Sequence, residues 1–254
     1  LLRIQGLTVT FGDRTALDRL DLDVETGSVV ALMGPSGCGK STALRSIIRL
    51  VEPDSGTITW MGRDVTRMTE AELEQFRQGV GFVFQRANLI SHLSVVQNVM
   101  LPMVAAGRPV ADAHELALHA LDEVGLSPRA DQSVRHLSGG EMQRVAIARA
   151  IAEKPSLILW DEPTASLDPT LVVDILSLME KLSRTLEATM VVVTHEAGFA
   201  LRAAHHVVLM DAGRVVEQGP PDQVLAAPTS GIGIRYARAL AYASVPVKEK
   251  TAGL

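Results

Sequence analysis

The stretch Gly34-Pro35-Ser36-Gly37-Cys38-Gly39-Lys40-Ser41-Thr42 constrains this chain more than any other. It follows the apolar run Val29-Val30-Ala31-Leu32-Met33 and precedes apolar residues at Ala43, Leu44, Ile47, Ile48 and Val51, so the order is strand, glycine loop, helix. Glycines let the backbone turn until successive N–H groups face one hollow, and the hollow opens onto a helix N-terminus whose partial positive charge favours an anion. The pattern predicts a phosphate-binding loop in which Lys40 reaches the β- and γ-phosphates of a nucleotide and the Ser41 hydroxyl holds Mg²⁺.

Bulk properties narrow the surroundings of that loop. With 254 residues, 47% hydrophobic and 21% charged, the chain has the balance of a soluble globular protein able to bury a core. A net charge of −5 gives no global attraction to nucleic acid or to an anionic membrane surface. Cys38 is the single cysteine, so no intramolecular disulfide forms, which points to a reducing compartment. No apolar run approaches the roughly 18 residues of a membrane span.

Along the chain, residues 1–26 predict antiparallel strands: Ile4, Leu7 and Val9 lead into the turn Phe11-Gly12-Asp13, and Leu20, Leu22 and Val24 alternate with Asp21 and Asp23. By position alone Phe11 suits either a core or a base-stacking role. A helix is expected over 41–51, a strand over 57–60, and a short helix from the capping box of Thr69 and Glu72 to Gly79. A strand over 80–84 delivers Gln85 to its end, where α/β sheets place their ligands. From Asn88 to Leu137 the pattern is helical, broken at Pro102, Gly107-Arg108-Pro109 and Ser127-Pro128, with one stripe of Leu116, Ala117, Ala120, Leu121 and Val124. This predicts a helical insertion into the α/β core, whose His114 and His119 lack a same-face ligand spacing.

Leu137-Ser138-Gly139-Gly140-Glu141 then forms a second anion-ready site at a helix N-terminus. The strand Leu157-Ile158-Leu159-Trp160 ends in Asp161-Glu162, two adjacent acids that need Mg²⁺ or water as partners if buried. A helix over 171–186, a strand over 190–193 delivering Thr194-His195-Glu196, a hairpin over 207–216 and a short frayed tail after Ser244 complete the expectation.

In order and spacing these segments resemble the ATP-binding subunit of ATP-binding cassette (ABC) transporters over residues 1 to about 226. The resemblance rests on the loop at 34–42, the signature Leu137-Ser138-Gly139-Gly140, the pair Asp161-Glu162, and His195. It implies an α/β P-loop NTPase core, mostly parallel sheet with flanking helices, plus an N-terminal antiparallel β subdomain and an inserted helical subdomain. A single ABC ATPase domain spans 1–254, with 1–87 and 138–226 as core, 88–137 as helical subdomain and 227–254 as C-terminal helix and tail.

By matching position, Phe11 stacks on adenine, Gln85 touches Mg²⁺ and the attacking water, and Asp161 holds Mg²⁺ through water. Glu162 is the general base, and His195 contacts the γ-phosphate. Ser138, Gly139, Gly140 and Asp168 serve the ATP site shared with a second copy in a head-to-tail dimer. The resemblance further implies integral membrane permease subunits docked around Arg86 to His92 and the helical insertion, a solute-binding protein acting through them, no nucleic acid partner, and a peripheral place on the cytoplasmic face of the cell membrane. Thr194–Ala200 and Met210–Pro221 are similar to the polar amino acid importer branch, whereas Thr229-Ser230-Gly231-Ile232-Gly233 departs from its tail helix. Lipid or lipoprotein export, cell-division signalling and a soluble cassette ATPase are the alternatives. Glu141 replaces the usual glutamine, and Ser166 precedes Leu167-Asp168 in a swapped order. Cys38 fills a loop position that tolerates small residues, which favours a mere spacer, yet a thiol beside a helix N-terminus tends towards thiolate; ATP is expected to protect it from alkylation.

Overall fold

A computed structural model describes residues 1–243. The expected tail after Ser244 lies outside the described residues. Alternation of apolar and polar residues produces the first two strands, β1 (Leu2–Phe11) and β2 (Arg14–Val24), which pair antiparallel. After β3 (Val29–Met33) and α1 (Lys40–Ile47), the strands β4 (Ser55–Trp60) and β5 (Arg63–Asp64) return to that layer, giving a four-stranded antiparallel sheet ordered β2-β1-β4-β5.

The second sheet is built from uninterrupted apolar runs. It uses β3, then β6 (Val80–Val83) after α2 (Glu70–Gln78), β7 (Leu157–Asp161) and β8 (Thr189–Val193), with a closing hairpin of β9 (His206–Asp211) and β10 (Arg214–Gly219). Every residue of β3, β7 and β8 is buried, as expected for parallel strands covered on both faces. The order is β10-β9-β3-β8-β7-β6, all neighbours parallel except the hairpin. One core lies between the two sheets and includes α1; Leu17, Leu32, Leu44 and Ile58 meet there.

Helices α3 (Val95–Ala105), α4 (Val110–Glu123), α5 (Gly139–Ile151) and α6 (Pro169–Thr185) pack over the β6–β7 side in a second core around Trp160 and Val99. A third core holds α7 (Ala197–Ala203), α8 (Pro221–Ala226) and α9 (Gly231–Ala243) against β3 and β9. Of the expected stripe, Ala117, Ala120, Leu121 and Val124 are buried and Leu116 is half-buried, while His114 and His119 are exposed.

Two local expectations change. The first helix stops at Ile47 rather than near Val51, because Arg49 turns left-handed (φ 48) and the Leu50 N–H bonds back to the Arg45 carbonyl at 2.9 Å. Pro102 lies inside α3 instead of ending it: Val99, Met100 and Met103 around it are buried, and their packing outweighs the lost backbone hydrogen bond.

Candidate active site

The loop after β3 leaves the sheet at the strand's C-terminal end, between β8 and β9, and wraps back onto the β1–β2 hairpin. Two glycines make this possible. A Cβ at Gly34 (φ 149) would sit 2.2 Å from the Met210 carbonyl oxygen, and one at Gly39 (φ 108) would sit 2.4 Å from that of Ala16. Lys40 opens α1 with its ammonium folded back across the loop, donating to the Gly34 and Pro35 carbonyls at 2.9 and 3.1 Å. Only 3% of Lys40 is exposed, so its charge is largely desolvated and available to an anion. Phe11, Arg14, Gly37, Gly39, Lys40, Ser41, Thr42 and Glu162 line a cavity of about 300 Å³. Phe11 is exposed at its rim, which favours the stacking role over the core role. Pro35 and Ser36 complete the loop, Ser36 exposed.

The register of the parallel strands brings the acids to this cavity. Asp161 ends β7 and is buried; the Ser41 hydroxyl donates to its Oδ1 at 2.5 Å and Arg45 Nη2 to its Oδ2 at 3.0 Å. Arg45 is a partner the sequence did not reveal, so Asp161 is satisfied by protein groups as well as by whatever cation it meets. Glu162, the next residue, adopts a left-handed backbone (φ 47), a conformation that non-glycine residues hold at some cost and that recurs at functional sites. Its carboxylate Oε1 lies 3.1 Å from His195 Nε2 and 3.7 Å from Lys40 Nζ. The His195 hydrogen bond holds the Glu162 carboxyl below the usual range against the effect of its burial, and the Lys40 charge adds to this.

The donor set fits Mg²⁺. Ser41 and Asp161 offer hard oxygens, and no group of three or more His, Cys, Asp or Glu among the described residues could cage a metal. A cation that retains waters and takes phosphate oxygens suits such a sparse set. Gln85 is exposed two residues beyond β6; because Val83 pairs with Trp160, Gln85 and Glu162 leave neighbouring strands at the same level. Gln85 makes no hydrogen bond to the cluster among the described residues.

Other expected residues lie apart. Ser138 caps α5: its hydroxyl accepts from the Glu141 N–H at 3.3 Å, and Glu141 Oε2 accepts from the Ser138 N–H at 2.8 Å. That reciprocal capping box explains how glutamate serves in place of glutamine here, and the Ser138 N–H lowers the Glu141 pKa. Ser138 and Gly139 are exposed, while Gly140 packs on Leu171. Asp168 stands at the N-terminal cap of α6 without a side-chain cap bond, exposed. The signature helix α5 packs on β6, which lies three strands, about 14 Å, from β3 in the large sheet.

Cys38 corrects an expectation. Its side chain is 4% exposed within the core between the sheets, and burial raises the thiol pKa despite the opposing Lys40 charge, so it is no thiolate. Sequence reasoning also missed Arg14, whose Nη2 donates to the Gly37 carbonyl at 2.9 Å, and Tyr236 on α9, whose hydroxyl lies 3.3 Å from His195 Nδ1. Arg149 of α5 donates to the Ala87 and Asn88 carbonyls at 2.7 and 3.1 Å, tying the segment after Gln85 to the signature helix.

Several known proteins resemble this chain in sequence and in fold. A family model described as ABC transporter matches residues 17–165. The chain is 44% identical over 235 residues to the L-cystine transport system ATP-binding protein TcyN of Escherichia coli (strain K12), covering 89% of this chain and 93% of that protein. It is 42% identical over 232 residues to the methionine import ATP-binding protein MetN of Mesorhizobium japonicum (91% and 64%). With the glutamine transport ATP-binding protein GlnQ of Bacillus subtilis (strain 168) it shares 40% over 229 residues (90% and 94%). Among solved structures, a dimeric post-hydrolysis state of the ATP-binding cassette MJ0796 bound to ADP and Pi superposes with a TM-score of 0.78 at 33% identity, covering 87% of this chain and 99% of that one.

Proposed function

Because this chain belongs to the ABC transporter family, we propose that it is the ATP-hydrolysing subunit of an amino acid importer, driving transport by closing head-to-tail on a second copy of itself. The observation that carries the reading is the convergence of Lys40, Ser41, Asp161, Glu162 and His195, from three neighbouring strand ends, on one cavity rimmed by an exposed aromatic. A triphosphate fits the loop with Lys40 turned to its β- and γ-phosphates and adenine on Phe11. Ser41, Asp161 and Gln85 would hold Mg²⁺, which when bound supplies charge neutralisation at the phosphates. Glu162, ionised by its surroundings, takes a proton from the attacking water, and His195 Nε2 orients that water and the γ-phosphate. Ser138 suits the partner's nucleotide because it stands exposed at the N-terminus of α5, where the backbone N–H groups favour an anion.

No helix among the described residues is long and apolar enough to cross a membrane, so transport calls for separate permease subunits at the cytoplasmic face, with Mg²⁺ and a solute-binding protein completing the system. A groove of about 560 Å³ between α2, β6, α3 and α5, lined by Arg77, Phe82, Leu101, Met103, Arg149 and Glu153, supports docking of a permease there, next to the segment 86–92 and the helical insertion at 88–137. Amino acid cargo is favoured because the relatives named above are described as serving cystine, methionine and glutamine. Affinity purification from detergent-solubilised membranes, with ATP and the Glu162→Gln variant to trap closed dimers, tests the reading. A polytopic subunit and an amino-acid-binding protein are the expected companions; their absence under trapping conditions overturns the importer reading.

A further inference from the structure

Helix α9 enters the active site through one hydroxyl. Tyr236 Oη accepts from the Gly34 N–H at 3.2 Å and lies 3.3 Å from both the Gly34 carbonyl oxygen and His195 Nδ1. A phenol has one proton and can serve only one of these acceptors at a time. The Gly34 carbonyl already accepts from Lys40 Nζ at 2.9 Å, whereas His195 Nδ1 has no other partner among the described residues. On the far edge of the ring, Nε2 faces the Glu162 carboxylate at 3.1 Å. An ionised carboxylate only accepts, so Nε2 must carry a proton, and in the neutral ring Nδ1 is then a bare lone pair.

We propose that Tyr236 is a positioning residue for ATP hydrolysis: its hydroxyl donates to His195 Nδ1, fixing the tautomer that presents Nε2–H to Glu162 and to the γ-phosphate, while its oxygen holds the first glycine of the phosphate loop. The proposal rests on the γ-phosphate role given to His195 above. Burial raises the Tyr236 pKa, so the hydroxyl keeps the proton it must donate. The ring itself is fixed against the core that contains Met33, Ala197 and Ala200. The start of α9 is anchored in turn: Glu217 accepts from the Thr229 and Ser230 N–H groups at 2.8 and 2.9 Å, and the Ser230 hydroxyl accepts from the Gly233 N–H at 2.9 Å. A helix outside the nucleotide cavity thus sets the chemistry of a side chain inside it.

Tyr236→Phe keeps the packed ring and deletes only the hydroxyl. Its ATP turnover is expected to fall roughly 5- to 30-fold in kcat, with KM for ATP within about twofold of wild type. In ¹⁵N NMR of histidine-labelled protein, with His195 signals identified by their loss in His195→Gln, the wild type shows the Nε2–H tautomer and Tyr236→Phe a mixture. A wild-type kcat in Tyr236→Phe, or an unchanged single tautomer, overturns the proposal. So does a rise in KM that accounts for the whole loss in kcat/KM, which would assign Tyr236 to the phosphate loop alone. His195→Gln separates this from the underlying reading: wild-type turnover there removes the histidine's role itself, while lost turnover there beside normal turnover in Tyr236→Phe removes Tyr236 only.

Discussion

Replacing Glu162 with glutamine separates chemistry from binding at this site. The glutamine side-chain oxygen can still accept from His195 Nε2, now 3.1 Å from the carboxylate, so the local hydrogen bonding survives while the ability to take a proton from water is lost. Removing a general base typically costs about 10²–10⁴-fold in rate, equivalent to about 3–5 kcal/mol in the barrier. Binding moves the other way. Lys40 Nζ lies 3.7 Å from the carboxylate, and at an effective dielectric of about 20 that separation corresponds to a gross Coulomb attraction of about 4 kcal/mol, part of which a phosphate must compete with. Neutralising Glu162 frees the lysine and removes a charge that repels the γ-phosphate. Glu162→Gln is therefore expected to bind ATP at least as tightly as wild type, to hydrolyse it about 10²–10⁴-fold more slowly, and to accumulate as a dimer. Lys40→Ala is the contrast: it loses hydrogen bonds worth about 1.5–3 kcal/mol each to a charged partner, so affinity fails first. Equilibrium binding of a fluorescent ATP analogue, single-turnover hydrolysis and light scattering measure the three quantities. Turnover of Glu162→Gln within about tenfold of wild type, or a loss of affinity as large as the loss of rate, would refute the reasoning.

Other perturbations read the scaffold. In Gly34→Ala the new Cβ meets the Met210 carbonyl at 2.2 Å and Cys38 Sγ at 2.9 Å, so the loop must shift; a loss of about 1–3 kcal/mol in thermal unfolding and of ATP binding is expected, and an unchanged Tm would contradict it. Cys38 should react slowly with alkylating agents with or without ATP, and rapid labelling of native protein would contradict its burial. Partial burial would raise the Glu217 pKa, but hydrogen bonds from Ser230 and Thr229 outweigh it and lower the value from 4.5 to about 2. A depressed carboxyl stabilises the fold above its unfolded pKa, so this contribution, about 1 kcal/mol after solvent screening, is lost as pH falls from about 4.5 towards 2. Urea unfolding across that window should show it in wild type and not in Glu217→Gln.

What the sequence made legible was local. The phosphate loop, the three capping boxes at Thr69, Ser94 and Ser138, and the apolar runs of β3, β7 and β8 are each fixed by contiguous residues, although of the boxes only that at Thr69 was read as one. Partnerships across the chain were not legible. Arg45 meets Asp161 over 116 residues and Tyr236 meets Gly34 over 202, distances at which periodicity carries no information. Position alone left Phe11 between a core and a stacking role; the β1–β2 register shifts between Val9 and Thr10, and past that irregularity Phe11 is 54% exposed, which favours stacking. Cys38 was misjudged because nearness to a helix N-terminus says nothing about what covers the thiol, here the core between the sheets.

The placement of the two anion-ready helix ends argues for how the proposed machine divides its labour. Along the large sheet the phosphate loop follows β3, His195 follows β8, Asp161 and Glu162 follow or end β7, and Gln85 and the signature helix belong to β6. The residues proposed to hold and attack a γ-phosphate therefore follow neighbouring strands of one chain. Ser138 instead opens the helix that packs on β6, three strands away from β3 in that sheet. Ser138 and the α5 N-terminus are exposed, as a site for a second molecule's nucleotide in the proposed head-to-tail dimer requires. The proposed function thus divides into hydrolysis chemistry in cis and closure in trans, and Arg149, which fastens the segment after Gln85 to α5, would couple the proposed permease-docking segment to the signature helix.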